Sequence, residues 1–369
     1  MIPNSLKRRL IHNIRNLLLA RIIAPAIVAL AYIAATSPAA ADAVADFYKG
    51  KVVTIVIGYA AGGFDLYARL LGRFLGSHIP GHPTIIAQNK PGAGSRAAAN
   101  WLYNVAPRDG SVIATLSQTT PTDQALGQAD IAFDARRFGW IGNMVVVNNI
   151  LFVNASTGVT SLADATRKPL AIGATGASSP SILYPQVSNN LLGTKFKIVT
   201  GYPGSGDVDL AMERHEVDGH GSISWASLKT ERPDWVTRHV INILFQVGLR
   251  READLADVPL WLELAQNDEQ RRVLEMLSGF IAVGRPFLTA PGVPPDPLRA
   301  LRQAFNETMQ DPAFLEAARQ AHMVLNPLSG AELQQIVSRI IDQPQSVIAT
   351  IKRAIEVGDA EGTGAQKPR

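Results

Sequence analysis

Val52-Val53-Thr54-Ile55-Val56-Ile57-Gly58-Tyr59-Ala60-Ala61-Gly62-Gly63-Phe64-Asp65 is the stretch from which the fold is read. Its first six residues are almost all apolar, rich in β-branched side chains and too few for a helix. An inner strand of a parallel sheet, buried on both faces, has this composition. A glycine-rich turn, Gly58 to Gly63, follows. From Asp65 onward Leu66, Leu70, Leu71 and Phe74 fall on one face of a helix. A strand feeding a helix through a short turn is the opening half of a βαβ unit.

The rhythm continues outward. Thr84-Ile85-Ile86-Ala87 is a second strand, followed by the turn Asn89-Lys90-Pro91-Gly92-Ala93-Gly94 and a helix carrying Ala98, Trp101 and Leu102. Ser111 to Leu116 is a third strand. This βαβαβ pattern predicts a doubly wound, parallel α/β lobe. Trp140 to Val153 carries a strand leading out of it, and a second unit starts around Ser156 to Asp164. There Leu170-Ala171-Ile172, Phe196 to Val199 and Ile241 to Phe245 read as strands, with helices at Pro180 to Leu192 and Asp207 to Arg214. Phe280 to Leu288 reads as a return strand. Helices are expected at Leu298 to His322, Gly330 to Ile341 and Pro344 to Glu356. A chain of 369 residues exceeds what one core organises. The expected division is a leader at 1–41, one lobe from 46–148 with 280–356, a second lobe at 149–279, and a disordered tail at 357–369.

Composition narrows the class. The chain is 47% hydrophobic and 18% charged, ordinary for a globular protein. Its formal charge of +4 resides in the first 41 residues, where Lys7, Arg8, Arg9, Arg15 and Arg21 meet no acid. The remainder holds 30 cations against 31 acids, so no basic face for nucleic acid is expected. The same cations precede an apolar run from Ile22 to Ala35, shorter than the roughly 18–20 residues of a membrane span. Ala39 and Ala41 then supply the small-x-small pattern of an export signal cut near Ala41, which predicts a periplasmic protein beginning near Asp42. With no cysteine in the chain, disulfides, thiolate nucleophiles and cysteine metal sites are excluded.

Three loops join a strand to a helix through glycines: Gly58 to Asp65, Gly173-Ala174-Thr175-Gly176-Ala177-Ser178-Ser179, and Gly201-Tyr202-Pro203-Gly204-Ser205-Gly206-Asp207. Glycine lets backbone N–H groups approach a ligand, and a helix start favours an anion. A single such turn is usually only a tight connection, but three on equivalent edges of two lobes suggest a clamp. Two of them facing each other across a cleft need no arginine to grip a carboxylate. Catalytic motifs are missing: no G-x-G-x-x-G, G-x-S-x-G, G-x-x-x-x-G-K-[ST] or H-E-x-x-H occurs. The crowded segment Glu213-Arg214-His215-Glu216-Val217-Asp218-Gly219-His220 offers metal-ligand types, yet reads as a charged helix end leading into a short strand. Of the tryptophans, Trp225 is the one expected at a pocket, because it directly follows the segment Gly219 to Ser224.

The same residues resemble the receptor component of tripartite tricarboxylate transporters, the Bug family of periplasmic binding proteins. The strand with Tyr59-Ala60-Ala61-Gly62-Gly63-Phe64-Asp65 and Ala68-Arg69-Leu70-Leu71 is similar to that family's opening. Asn89 to Ser95 resembles its E-N-x-P-G-A-G-G turn, and Pro107-Arg108-Asp109-Gly110 its P-D-G signature with one insertion. Thr200-Gly201-Tyr202-Pro203-Gly204 and Glu216-Val217-Asp218 resemble its P-Y-x-G and G-x-V-D segments. Asp257-Val258-Pro259 and Ala290-Pro291-Gly292-Val293-Pro294 match two further landmarks.

The resemblance implies a two-lobe, type II Venus-flytrap binding protein with a doubly wound α/β sheet in each lobe. It implies a monomer that is not an enzyme, uses no cofactor or metal, captures a small organic acid and delivers it to membrane permease subunits. Feeding a membrane sensor is an alternative role, and an exported hydrolase a more distant one. Family pincers on the ligand carboxylate correspond to Gly62, Gly63 and Asp65 opposite Thr175, Gly176 and Ser178. Tyr59, Phe64, Ser117, Gln118, Ser179, Tyr202 and Trp225 complete the expected ligand-binding set. Two departures bear on the ligand. Gly62-Gly63-Phe64-Asp65 is one residue shorter than the family's G-G-x-x-D, and Phe64 is bulkier than the usual small or hydroxyl residue.

Overall fold

A computed structural model of the protein describes residues 38–356. The expected leader, apart from the backbone of its last four residues, and the tail at 357–369 lie outside the described residues. Eleven strands are described: β1 (Val52–Ile57), β2 (Thr84–Asn89), β3 (Val112–Thr115), β4 (Gly139–Asn143), β5 (Asn149–Asn154), β6 (Leu170–Gly173), β7 (Phe196–Val199), β8 (Gly219–Ser224), β9 (Ile241–Val247), β10 (Pro286–Thr289) and β11 (Leu328–Ser329). They form two sheets, ordered β11-β4-β10-β3-β1-β2 and β7-β6-β8-β5-β9.

Without the short edge strand β11, both sheets share one plan. β1 lies parallel to β2 and β3, and β6 lies parallel to β7 and β8. In each sheet the fourth strand runs against its neighbours: β10 against β3 and β4, β5 against β8 and β9. Each antiparallel strand enters directly from the other lobe, so the lobes are joined by two crossing segments, after β4 and before β10.

The central strands are buried on both faces, as their composition dictates. Ile55 and Ile57 pack with Leu71 and Leu75 of the helix Gly63–His78, while Val56 points to the opposite cluster with Ala98 and Leu102. Helices on both faces of a parallel sheet are the doubly wound arrangement read from the sequence.

Four expectations change in detail. Trp140 to Val153 holds two strands, β4 and β5, separated by Met144 to Asn148. The return strand is shorter than Phe280 to Leu288: residues Phe280–Val283 make a helical turn, Gly284 adopts φ of 58°, and only Pro286–Thr289 is extended. The helix expected over Leu298 to His322 is two, Pro295–Thr308 and Pro312–Gln320, because Pro312 cannot continue a helix and Asp311 caps the second by accepting from the Ala313 N–H. Finally, the helix Gln345–Glu356 packs on the second lobe's helix Pro180–Leu192. Gln186 Nε2 and Asn190 Nδ2 donate to the carbonyls of Ile355 and Ala354, both at 2.8 Å. Those orphan carbonyls at a helix end need donors, and the second lobe supplies them.

Candidate functional site

A cavity of about 70 Å³ lies between the lobes. The first lobe contributes Tyr59, Gly62, Gly63, Phe64 and Gln118; the second contributes Thr175, Ser179, Ser205, His220, Ser222, Ser224 and Ser227; the crossing segments contribute Val145, Val147, Gly284 and Arg285. The helices Gly63–His78, Pro180–Leu192 and Ser205–Glu213 all begin at its wall. Three positive dipole ends from two lobes therefore converge there, although the Ser181 N–H is already taken by Ser179 Oγ and the Gly206 N–H by Ala61 O.

The glycine loops close the clamp backbone to backbone. The Ala60 N–H donates to Pro203 O at 3.2 Å, and the Gly206 N–H to Ala61 O at 3.4 Å. On the other flank the Ser178 N–H donates to Ala93 O at 3.3 Å. A Cβ on Gly176 would overlap the Gly94 backbone nitrogen and lie 2.7 Å from Ala93 C. The turn facing it is bent, with φ of 153°, 49°, 65° and 82° at Gly92, Ala93, Gly94 and Ser95. Left-handed Ala93 and Ser95 each cost on the order of 1–3 kcal/mol and persist only where surroundings over-determine them. Much of the glycine in these loops therefore serves the approach of one lobe to the other.

Several polar groups at the cavity wall have no partner. They are Arg285 Nε and Nη1, Ser222 Oγ, Ser224 Oγ and His220 Nε2. Buried polar groups are normally satisfied, so such a cluster in one place marks where a ligand supplies the missing bonds. Ser222 and Ser224 lie two residues apart on one face of β8, whereas a register shift between His220 and Ile223 puts His220 opposite Phe152 on the other face. Arg285 is 6% exposed and its Nη2 donates to Ser227 Oγ. Its guanidinium lies over the rings of Phe64 and Tyr67, 4.7 Å from each centroid. Phe64 in turn stacks on Tyr59 at 4.8 Å, and the Tyr59 hydroxyl donates to Gly94 O at 3.2 Å. Burial pushes the Tyr59 phenol up to about 12, so it stays a donor at any physiological pH.

The His220 ring is neutral, because burial pushes its pKa down to about 3. Its Nδ1 accepts from the Ser222 N–H at 3.2 Å, which leaves the proton on Nε2, 3.9 Å from Asp209. No described serine hydroxyl bonds to either ring nitrogen, so no serine–histidine pair is assembled. Behind the wall, burial pushes Asp209 up to about 7 against the pull of Arg232, and Glu231 up to about 7 by burial and the Asp209 charge. His215, its neighbour in the crowded segment, is exposed in a left-handed turn with φ of 57°. Among the described residues no three His, Asp or Glu side chains are grouped to hold a metal ion.

The structure brings Tyr59, Gly62, Gly63, Phe64, Gln118, Thr175 and Ser179 together on the cavity wall. The other expected residues lie off it. Asp65 pairs with Arg69 at 2.9 Å and accepts from Asn89 Nδ2. Gly176 is taken up by the contact with Gly94. Ser117 Oγ bonds to Thr119 Oγ1 at 2.7 Å. Tyr202 packs half-buried against the second-lobe core. Trp225, 3% exposed, sits in that core with its Nε1 donating to Asp254 at 2.9 Å; the residue after a strand alternates to the opposite side from Ser224. Ser178 faces the other lobe: Arg96 Nε donates to its Oγ at 2.6 Å and Thr119 Oγ1 donates to its carbonyl. The helix cap is Ser179 instead, accepting from the Ser181 N–H at 3.2 Å.

This separates two adjacent hydroxyls. Ser179→Ala is expected to lower stability by about 1 kcal/mol through the lost cap. Ser178→Ala removes a bond that exists only when the lobes meet, so the ligand-free melting temperature should hold while affinity falls about tenfold. Calorimetry and melting curves on both variants check the split; equal melting losses would contradict it.

Arg285 was not legible as a site residue, although it is the only charge in the apolar run Phe280 to Ala290. Ser205, Ser222, Ser224 and Ser227 were missed too; the alternation Ser-x-Ser at Ser222 and Ser224 on β8 was the available signal.

The profile of the Tripartite tricarboxylate transporter family receptor matches residues 77–354. A Cupriavidus necator protein described as "UPF0065 protein in gbd 5'region" is 24% identical over 317 residues, covering 84% of this chain and 90% of that protein. The R. palustris protein Rpa4515, solved with adipate, superposes with a TM-score of 0.63 at 22% identity, over 82% of this chain and 97% of that one. The periplasmic binding protein BugD gives 0.66 at 19% identity, over 83% and 98%. These likenesses establish the two-lobe periplasmic-binding-protein fold. No described helix is long and apolar enough to cross a membrane.

Proposed function

Since the chain belongs to the tripartite tricarboxylate transporter receptor family, we propose that it is exported, closes on one small organic carboxylate and hands it to the membrane permease subunits of such a transporter. The observation that carries the ligand class is the convergence on one interlobe cavity of three helix starts with the unpartnered Arg285, Ser222 and Ser224 donors. Arg285 brings donors and no acceptor to that wall, and a carboxylate is acceptor-only when ionised. Val145, Val147 and Ile223 provide an apolar side for the rest of the ligand. Rpa4515 with its adipate supports the same class. The protein works in the periplasm as a monomer and catalyses no reaction; its work is the closure itself, which a ligand drives only as far as it prefers the closed state over the open one.

A thermal-shift screen of the mature protein against mono-, di- and tricarboxylates and aromatic acids tests this. A true ligand at one hundred times its dissociation constant should stabilise the fold by about 2.7 kcal/mol. Small-angle scattering should show compaction with the same acid. If the strongest stabiliser is a sugar or a cation, the carboxylate reading falls.

A further inference from the structure

The buried guanidinium of Arg285 is more than the glycine loops require. It stands on the crossing segment Gly284-Arg285-Pro286, where the chain passes from the second lobe back into the first. A charge in this position is costly unless it is paired and its hydrogen bonds are met. Here only Nη2 is bonded, to Ser227, and no carboxylate lies within ion-pair distance of any Arg285 nitrogen among the described residues. Glu231 contributes opposite charge from farther off. Instead the cation lies over two rings of one helix, Phe64 and Tyr67. Gly63 makes room for it: a Cβ there would stand 2.5 Å from Arg285 Nη2. Phe64 and an unpaired buried arginine thus belong to one device.

We propose that Arg285 is the counter-charge of the bound ligand and Phe64 the platform that holds it, so that this receptor selects an ionised acid over a neutral molecule of the same shape. This rests on the carboxylate reading above and assigns its charge recognition to one residue. Arg285 lines the same cavity as Ser222 and Ser224, and its Nε and Nη1, like their hydroxyls, have no protein partner. An oxyanion seated there receives charge-assisted bonds from the guanidinium, stronger than those from neutral donors. The site also links binding to closure. Arg285 touches Phe64 and Tyr67 of the first lobe and Ser227 of the second, so an anion that fixes its position fixes the crossing segment between them.

Matched acids and primary amides test the proposal: propionate, butyrate, succinate and benzoate, each beside its amide, titrated calorimetrically into wild type, Arg285→Gln, Arg285→Lys and Phe64→Ser. Wild type should favour the best acid over its amide by about a hundredfold. In Arg285→Gln that ratio should fall to within about threefold of unity, mainly through weaker acid binding; Arg285→Lys should restore about tenfold of it. Phe64→Ser keeps the charge but frees it, and should lower the ratio about tenfold, which also serves if Arg285→Gln does not fold. An acid that binds wild type and Arg285→Gln equally, with the amide still rejected, overturns the role of Arg285 and leaves the receptor reading intact. Failure of every acid to bind wild type overturns both.

Discussion

Gly176→Val is expected to hold the protein open: affinity for its acid should fall at least about a hundredfold, and scattering should show no compaction at saturating ligand. The new Cβ would overlap the Gly94 nitrogen and crowd Ala93, and both are backbone atoms of a turn already in a strained conformation. Backbone cannot swing aside as a flexible side chain can, so the closed state is lost rather than adjusted. A hundredfold corresponds to about 2.7 kcal/mol, well within what two overlapping backbones cost. Gly176 lies outside the left-handed region, so valine is not strained in the open form and the ligand-free melting temperature should drop little. Compaction with ligand in Gly176→Val would show that the contact between Gly94 and Gly176 does not gate closure. Gly62→Val is a poorer tool, because its φ of 142° adds strain to the obstruction.

Stability is expected to rise as the pH is lowered from about 7 toward about 4.5. Burial pushes the carboxyls of Asp123, Asp209 and Glu231 each up to about 7, whereas in the unfolded chain they titrate near 4. The stability linked to each is complete below the unfolded value and is lost as pH climbs through about 7. His220 acts in the opposite sense. Its pKa is about 3 in the fold and near 6.5 when exposed, so its contribution is complete above 6.5 and lost as pH falls toward 3. Three groups against one make the net slope favour the acid side between about 4.5 and 7. Each carboxyl is expected to contribute on the order of 1–2 kcal/mol, a fraction of its full shift, because structure relaxes around a buried charge. Calorimetric melting from pH 4.5 to 8 on wild type, Asp123→Asn and Asp209→Asn checks it: each variant should flatten the slope. A wild-type profile that climbs with pH through this window would contradict it.

Most of the architecture was legible because its signals are local. β1, the helix Pro180–Leu192 and β7 were read at or near their bounds, since short β-branched runs and a proline-started segment between glycine turns declare themselves within a few residues. The return strand was overextended because Phe280 to Leu288 is apolar apart from Arg285, while Gly284 and Pro286 set the backbone there. The site was legible by half. Tyr59, Gly62, Gly63, Phe64, Thr175 and Ser179 flank glycine turns, and turn chemistry points to a strand edge. Arg285 had no such marker: its place depends on a pairing with Phe64 more than two hundred residues earlier in the chain, which spacing does not encode. Trp225 and Ser178 were drawn toward the pocket by proximity in sequence, yet one alternates into a core and the other turns toward the opposite lobe.

The borrowed strand in each sheet also sets an order of assembly. β5 follows β4 after five residues, and all the strands of the second sheet lie within residues 149–247, so that lobe contains its whole sheet in one continuous segment. The first sheet does not. Between β3 and β4 there is a slot that only β10 fills, pairing Thr115 with Phe287 across a long stretch of chain. Until residue 286 has arrived, β3 and β4 each expose an unpaired edge, a template for any other strand. Sequence-distant pairings of this kind form late, because loop closure must be met before the contact rewards it. The half of the protein that opens the chain is therefore the half that must wait for its end.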